Sequence, residues 1–366
     1  MLRFSISTFV ILALLVTLNP FSVKGVSAAT PKNEMRAVWI STVQNLDMKP
    51  GMTKAQYTAW AQETLDQLKA DNFNAVIFQV KPTGDALYSS KLAPWSSYIT
   101  GKVQGTNPGY DPLLIMTEEA HARGLELHAW INPYRVTMPN QTLTSLSADN
   151  VARKNPSWVV KYGSQYYLNP GLPAVQNYLV ETVKELVANY DIDAVHMDDY
   201  FYPYKIAGQV FPDQEAFKKY GTSFKSIEDW RRNNVNELVS KLYATIKSTK
   251  SHVQYGISPF GVWRNKSVDA TGSDTRATSA YDDLYADTRQ WIKDGSIDYI
   301  TPQVYWSRTL SVASYTTLLN WWSNEVKTQA KVHPVNLYIG GADYKVGTNS
   351  DTAWNNKMEL PNQLIA

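Results

Sequence analysis

Two adjacent aspartates end an apolar segment in the sequence AVHMDDYFYP, residues 194–203. The alternation of a strand places His196 and Asp198 on one face, and Asp199 begins the following loop. Two buried carboxylates this close raise the pKa of one of them, as a general acid requires near neutral pH. The pair is therefore predicted to catalyse a reaction or bind a substrate. The alternative is that Asp199 caps a turn and Asp198 pairs with a lysine.

Polar and aromatic side chains also stand at the ends of other apolar segments. Uncharged hydrogen-bonding groups and aromatic rings around a few carboxylates suit a polyhydroxylated ligand. The residues predicted in this way to bind substrate are Lys81, Asp85, Trp130, Asn132, Tyr134, His196, Gln303, Tyr305 and Trp306, with Asp343 as a further catalytic candidate. Each residue alone is weak evidence for a binding site. The alternative interpretation of His196 is a hydrogen-bonded histidine in the core.

A long polar loop, residues 261–283, follows the fifth apolar segment. Loops of this length in compact domains are commonly lids or binding loops, and otherwise mobile insertions. Trp263 and Arg264 are the residues of this loop that we expect to touch a substrate.

The segments that must position these side chains are short and continuously apolar, which is typical of strands buried on both faces of a parallel sheet. The predicted strands are residues 36–42, 74–82, 125–133, 193–200, 253–261, 298–306 and 335–344. Amphipathic helices are predicted between them. Thr53 with Gln56 forms a capping box, and Asp111-Pro112 opens a helix that Gly124 closes. A further helix is predicted after Pro173.

Strands alternating with helices predict a parallel α/β fold, either a barrel or an open sheet. No glycine-rich phosphate loop follows the first strand, where an open nucleotide-binding sheet usually has one. Polar residues gather instead at the carboxyl ends of several strands, as in a (β/α)8 barrel. The sequence contains only seven such apolar segments, whereas a (β/α)8 barrel has eight strands. Either an eighth strand is present without this pattern or, as we favour, the barrel is truncated before its eighth strand.

Residues 1–29 resemble a secretory signal peptide, with Arg3, an apolar stretch over residues 9–18 and small residues at 27–29. The apolar stretch is shorter than the roughly 20 residues of a membrane span. We therefore expect export and cleavage, a secreted or envelope-associated location, no membrane span afterwards, and one barrel domain over residues 30–366.

The composition narrows the function further. Cleavage would remove two of the 35 basic residues and none of the 33 acidic ones, which leaves a net charge of zero and no feature favouring nucleic acid as a partner. With no cysteine in the chain, thiolate catalysis and zinc-thiolate sites are excluded. A metal site that uses His196 and Asp198, as in a metal-dependent glycan deacetylase, remains an alternative. We expect no metal or other cofactor, and a monomer.

Seven motifs together resemble the bacterial glycosyl-hydrolase-like 10 family over residues 34–345. They are MRAVWIS, FNAVIFQVKPTGDALY, GLELHAWINPYR, YYLNPGLPAV, IDAVHMDDYFYP, YGISPFGVWRN and IDYITPQVYW. The resemblance implies an exported (β/α)8 glycosidase that acts on peptidoglycan-type or amino-sugar glycans. It also implies that Asp198 and Asp199 are catalytic and that Lys81, Asn132, Tyr134, Gln303 and Tyr305 line the cleft.

The predicted reaction is hydrolysis of a glycosidic bond by two carboxylates. One protonates the leaving oxygen, and the other is a nucleophile or activates water. Neighbouring residues of a strand point apart, so the partner of the acid is expected to be Asp343 or Asp85. Asp199 is favoured as the acid. The rival from another class is a glycan-binding barrel without catalysis.

Overall fold

The seven predicted strands form one parallel sheet in the computed structural model, which describes residues 34–347 and 351–366. The strands of the described residues are β1 (Ala37–Ile40), β2 (Ala75–Lys81), β3 (Glu126–Ile131), β4 (Val159–Tyr162), β5 (Gln165–Leu168), β6 (Ala194–Met197), β7 (Gln254–Ile257), β8 (Tyr299–Ile300) and β9 (Asn336–Leu337). The order in the large sheet is β1-β2-β3-β6-β7-β8-β9, and all of its pairs are parallel. The predicted α/β class is confirmed.

Helices connect these strands. Over the same described ranges they are α1 (Lys54–Ala70), α2 (Ser97–Thr100), α3 (Pro112–Ala122), α4 (Val151–Lys154), α5 (Pro173–Asn189), α6 (Gln214–Tyr220), α7 (Ile227–Thr249), α8 (Ala280–Asp283), α9 (Thr288–Asp294), α10 (Tyr315–Gln329) and α11 (Glu359–Ile365). The long helices α5 and α7 bury apolar stripes, and the buried side chains of helices and strands join in one core.

The predicted helix ends are found where local chemistry favours them. Thr53 and Gln56 form the reciprocal capping box of α1. The Asp111 side chain accepts a hydrogen bond from the backbone of Leu114 at the start of α3. These caps satisfy backbone N–H groups that would otherwise lack partners, so the helices begin at fixed residues.

The sheet is curled. Trp39 on β1 and His196 on β6 have ring centroids 6.0 Å apart, although two strands separate β1 from β6 in the sheet order. Three strand spacings in a flat sheet would amount to roughly 14 Å. Their side chains therefore meet inside a partial barrel, and β1 and β9 are its edge strands within the described residues. The partial barrel agrees with the predicted truncated (β/α)8 architecture.

Local details differ from the prediction in two places. Strands β8 and β9 are shorter than their apolar segments; Pro302 has no N–H to donate, and only isolated bridges of Gln303 continue the pairing. Strands β4 and β5 were not predicted and form an antiparallel hairpin, whose turn includes Gly163 at φ +58°.

The predicted signal peptide, residues 1–29, lies outside the described residues. Residues Met35–Ala366 form one compact unit. Among the helices of the described ranges, none combines the length and the apolar character that a membrane crossing requires.

Candidate active site

Asp198 and Asp199 follow β6 directly at the carboxyl end of the sheet, and both are buried, with 7% and 4% of their surface exposed. The Asp198 carboxylate accepts hydrogen bonds from three N–H donors. Asn132 Nδ2 lies 2.6 Å and Trp130 Nε1 3.2 Å from Oδ2, and the Tyr200 backbone N–H donates to Oδ1 over 3.0 Å. These contacts fix the Asp198 carboxylate in one orientation.

A second layer of contacts orients Asn132. The buried side chain of Gln79 on β2 donates from Nε2 to Asn132 Oδ1 over 2.7 Å. Gln79 Oε1 in turn accepts the backbone N–H groups of Thr42 and Val43 at 3.0 and 2.9 Å. Because Asn132 Oδ1 accepts from Gln79, its amide nitrogen must face Asp198. Gln79 on β2 and residues just after β1 and β3 thus position one carboxylate.

Asp199 has a different set of neighbours. Tyr204 donates its hydroxyl hydrogen to Asp199 Oδ2. Burial and the charge of Asp198 raise the pKa of Asp199 to about 6, while hydrogen bonds from Tyr204 and Gln303 oppose the rise. This pKa suits a general acid working in mildly acidic to neutral conditions.

Burial also raises the pKa of Asp198. The positive charge of Arg135 and the donors Tyr200, Asn132 and Trp130 oppose that rise. Since three N–H groups and a guanidinium favour the ionised form of Asp198, we assign the first negative charge of the pair to it. That charge is what keeps Asp199 protonated to higher pH.

Both carboxylates open into a cavity of about 490 Å³. A third carboxylate, the exposed Asp343, lines the same cavity and belongs to the turn Asp343–Lys345 after β9. Aromatic side chains and two uncharged polar residues make up most of the remaining wall near the acids: Trp39, Trp130, Tyr200, Ser258, Gln303, Tyr305 and Tyr344. The other lining residues come from β1, the turn before β2, the segment after β9 and α11: Ala37, Val38, Phe73, Ile339, Gly341 and Leu360.

Tyr305 shows that the three carboxylates share one space. Burial raises the pKa of its hydroxyl, and the charges of Asp199, Asp198 and Asp343 all add to the rise. The Tyr305 hydroxyl therefore lies within electrostatic range of every acidic group of the cavity.

The structure brings only part of the predicted set into this cavity. Asp198, Asp199, Asp343, Trp130, Gln303 and Tyr305 line it, and Asn132 supports it from behind. The other predicted residues lie outside its wall: Lys81, Asp85, Tyr134, His196, Trp263 and Trp306. Their places in the fold explain why.

Lys81 and Asp85 are buried and occupied with their own loop. Lys81 Nζ donates to the carbonyls of Thr83 and Asp85 at 3.0 and 3.4 Å. The Asp85 carboxylate accepts from Thr83 Oγ1 over 2.7 Å and from Gln104 Nε2 over 3.0 Å. A register shift between Gln79 and Lys81 disturbs the alternation on which their predicted direction rested.

Trp263 is 4% exposed and packs against two other side chains. Its ring stacks on Trp321 with centroids 5.7 Å apart, and the Arg289 guanidinium carbon lies 3.7 Å from its centre. Its loop neighbour Arg264 pairs with Asp282 and Asp269. This part of the loop after β7 is thus held by packing and ion pairs.

Tyr134, His196 and Trp306 are also held away from the cavity. Tyr134 and His196 are fully buried inside the sheet. Trp306 is half-buried, packs edge-on against Phe260 with ring centroids 5.5 Å apart, and its carbonyl accepts from Gln363 Nε2 over 3.2 Å.

Trp39, Ser258 and Tyr204 are site residues that the sequence argument did not single out. Trp39 and Ser258 lie on the inward phase of β1 and just after β7, so strand alternation could have indicated both. Tyr204 stands in the YFYPY segment behind the acidic pair. Its contact with Asp199 depends on how that loop folds back.

Among the described residues, no three histidine or acidic side chains are grouped closely enough to hold a metal ion.

Comparison with known protein families matches residues 34–356 to the family described as glycosyl hydrolase-like 10. The chain belongs to this family. It is 51% identical over 358 residues to glycosyl hydrolase YngK of Bacillus subtilis (strain 168), which covers 97% of this chain and 69% of that protein. It is 44% identical over 334 residues to glycosyl hydrolase DigH of Escherichia coli (strain K12), with 86% and 74% covered.

Among solved structures, the fold is similar to the glycoside hydrolase domain of PgaB (BpsB) from Bordetella bronchiseptica. The TM-score is 0.52 at 11% identity, and the match covers 90% of each chain. At this identity the likeness concerns the fold alone. It supports the barrel-type fold of the sheet.

Proposed function

We propose that this protein hydrolyses glycosidic bonds in a bacterial cell-wall or other amino-sugar polysaccharide, with Asp199 as the general acid. The observation that carries the proposal is the buried pair Asp198 and Asp199 in a cavity that also contains Asp343. Hydrolysis of a glycosidic bond requires one protonated and one ionised carboxyl group across the reacting bond. Membership of a glycosyl hydrolase-like family supports the same reaction class.

Asp199 fits the acid because its pKa is raised to about 6 by burial and by Asp198. Near that pH it still carries a proton for the leaving oxygen. Asp198 fits a supporting role, since its two oxygens are committed to Asn132, Trp130 and the Tyr200 N–H. Its charge maintains the raised pKa of its neighbour.

Asp343 is the proposed second carboxylate. It reaches the cavity from the turn after β9, while the acidic pair follows β6, so the two come from different strands. Carboxylates on different strands can flank a bond, whereas neighbours in one strand point apart. Asp85, the other candidate from the sequence, is engaged by Thr83 and Gln104 outside the cavity.

The aromatic walls suit a sugar chain. Trp39, Trp130, Tyr200, Tyr305 and Tyr344 offer ring faces or edges around the three carboxylates. Aromatic side chains combine a large apolar surface with a polar edge and match the faces of pyranose rings. Together with the expected export of the chain, this supports a cell-wall glycan as substrate and an envelope location.

The test is release of reducing ends from a panel of bacterial cell-wall glycans, with and without stem peptides and N-acetyl groups. Wild type is compared with Asp199→Asn and Asp343→Asn, and with Asp274→Asn as a matched control at an exposed position. We expect release by wild type and the control, and a loss of at least about a hundredfold in the other two variants. Glycan binding without release by wild type would instead establish a binding barrel.

A further inference from the structure

A continuous chain of hydrogen bonds crosses the interior of the partial barrel below the cavity. Glu126 Oε2 lies 3.1 Å from His128 Nε2, and His128 Nδ1 lies 2.9 Å from the Tyr299 hydroxyl. The same hydroxyl lies 3.0 Å from His196 Nδ1, and His196 Nε2 lies 2.9 Å from Ser258 Oγ. Side chains from β3, β8 and β6, and the residue after β7, are linked in this way.

The two ends of the chain are in different environments. Glu126, at the amino end of β3, has a side chain that is 54% exposed. His128, His196 and Tyr299 are buried, and Ser258, also almost fully buried, lines the cavity beside Asp198 and Asp199. The chain therefore joins the amino-terminal rim of the sheet to the wall of the candidate active site.

Gly256 on β7 makes room for the centre of this chain. A Cβ atom at this position would lie 1.9 Å from Cζ of Tyr299. No side chain fits at that distance, so a glycine here permits the Tyr299 ring to reach both histidines. The ring of Tyr299 stacks on that of His196, with centroids 5.9 Å apart and planes inclined by 20°.

The direction of each hydrogen bond follows from the first one. An ionised carboxylate can only accept, and the hydrogen bond from His128 lowers the pKa of Glu126, which keeps it ionised. His128 must therefore carry its hydrogen on Nε2. When the ring carries only this hydrogen, Nδ1 is a bare acceptor, and the hydroxyl of Tyr299 must donate to it.

The remaining directions are now determined. Once the Tyr299 hydrogen is used on His128, the Tyr299 oxygen accepts from His196 Nδ1. Burial lowers the pKa of His196 well below its usual range, so the ring is neutral and its Nε2 is bare. The hydroxyl of Ser258 must donate to that nitrogen. The Met197 carbonyl, at 3.4 Å, is the more distant acceptor.

Building on the proposed function, we infer that Ser258 positions the substrate by accepting a hydrogen bond from a sugar O–H or acetamido N–H, and that Glu126 sets this polarity from the opposite rim. The Ser258 hydroxyl has one hydrogen, and it is directed inward to His196. Its lone pairs remain available to a ligand in the cavity. Ser258 therefore favours ligand groups that donate a hydrogen bond.

The polarity is tested without any substrate. Nitrogen-15 NMR of the histidine side chains distinguishes a protonated ring nitrogen from a bare one. We expect His128 with its hydrogen on Nε2 and His196 with its hydrogen on Nδ1. The reverse tautomer at His196 would make Ser258 a donor to the cavity and would overturn the inference.

The substrate contact is tested by the Kd of chitotetraose in an Asp199→Asn background, which prevents turnover. Removing one neutral hydrogen bond by Ser258→Ala is expected to weaken binding roughly fivefold to tenfold. In Glu126→Gln the new amide can donate or accept, so the hydrogen bonds of the chain are no longer held in one direction. Ser258 can then direct its hydrogen into the cavity in part of the molecules, and binding is expected to weaken about two- to fivefold. Glu118→Gln, an exposed control on α3, is expected to have no effect.

A double-mutant cycle separates positioning from a structural role. Glu126→Gln is expected to have no further effect on Kd once Ser258→Ala is present, because Glu126 acts through Ser258. Additive losses, an unchanged Kd in Ser258→Ala, or no binding of the probe would each overturn the inference. Failure of the proposed function is distinguishable, since it is absence of reducing-end release by wild type.

Discussion

The hydroxyl of Tyr204 donates a hydrogen bond to the carboxylate of Asp199, five positions earlier in the same loop. This contact stabilises the ionised form of Asp199 and so limits how far its pKa rises. The loop that carries the proposed acid therefore also tunes it. The hydrogen bond from Tyr204 thus helps to hold the pKa of Asp199 at about 6.

The first prediction is that Tyr204→Phe moves the alkaline limb of the pH–rate profile upward. Without the hydroxyl, ionised Asp199 loses a hydrogen bond and its pKa rises, so the acid keeps its proton to higher pH. A shift of roughly half to one pH unit corresponds to one such bond. The measurement is kcat against pH for wild type, Tyr204→Phe and the exposed control Tyr220→Phe. A downward shift would contradict the assignment of Asp199 as acid.

The second prediction concerns Arg135, whose charge opposes the rise in the pKa of Asp198. Its guanidinium carbon lies 4.9 Å from the centre of the Tyr200 ring. Arg135→Gln is expected to raise the pKa of the Asp198 carboxyl group by about one unit, because its ionised form loses a nearby positive charge. Carbon-13 NMR titration of the aspartate carboxyl groups in wild type and variant measures the shift.

Arg135→Lys is the matched control, because it keeps the positive charge. We expect the pKa of Asp198 to rise less in this variant than in Arg135→Gln. An equal rise in both variants, or no rise in either, would show that the charge of Arg135 does not act on Asp198.

The third prediction links Asp199 to stability. Its pKa is about 6 in the folded protein and about 3.9 in an unfolded chain. Between these pH values the unfolded chain releases a proton that the folded protein retains, so the free energy of unfolding falls as pH rises. Above pH 6 the loss is complete, and a difference of two pKa units corresponds to roughly 3 kcal/mol.

Asp199→Asn removes this penalty and is expected to stabilise the protein by about 1 to 3 kcal/mol at pH 7.5, with little change at pH 4. Urea denaturation of wild type and variant at the two pH values measures it. Asp274→Asn controls for loss of an exposed charge. An equal gain at both pH values would show that ionisation of Asp199 is not the cause.

The strands and the acidic pair could be predicted because each produces a pattern within a short run of consecutive residues. Continuous apolar runs identify buried parallel strands, and charges at the end of such a run stand out against it. The hairpin β4–β5 also has a local signal, a Gly-Ser pair between VVKY and QYYL. These two runs are shorter than the apolar segments of the large sheet and contain more polar residues, so their pattern is weaker.

The direction of individual side chains could not be predicted in the same way. The register shift before Lys81 turns it away from the face that strict alternation assigns to it. Trp263 is buried because Arg289 and Trp321, far along the chain, pack against its ring. Such contacts depend on tertiary packing, which periodicity does not encode.

The last prediction is that Gly256→Ala destabilises the fold, because the new Cβ would lie 1.9 Å from Cζ of Tyr299. This clash is removed only if the Tyr299 ring moves, and such a movement breaks the hydrogen bonds of Tyr299 to His128 and His196. The expected loss is about 2 to 4 kcal/mol in the free energy of unfolding, measured by urea denaturation. In Gly256→Ala combined with Tyr299→Ala the alanine methyl meets no ring, so the added cost of the glycine substitution should largely vanish. If it persists, the cause is the backbone of β7 and not the space that Tyr299 occupies.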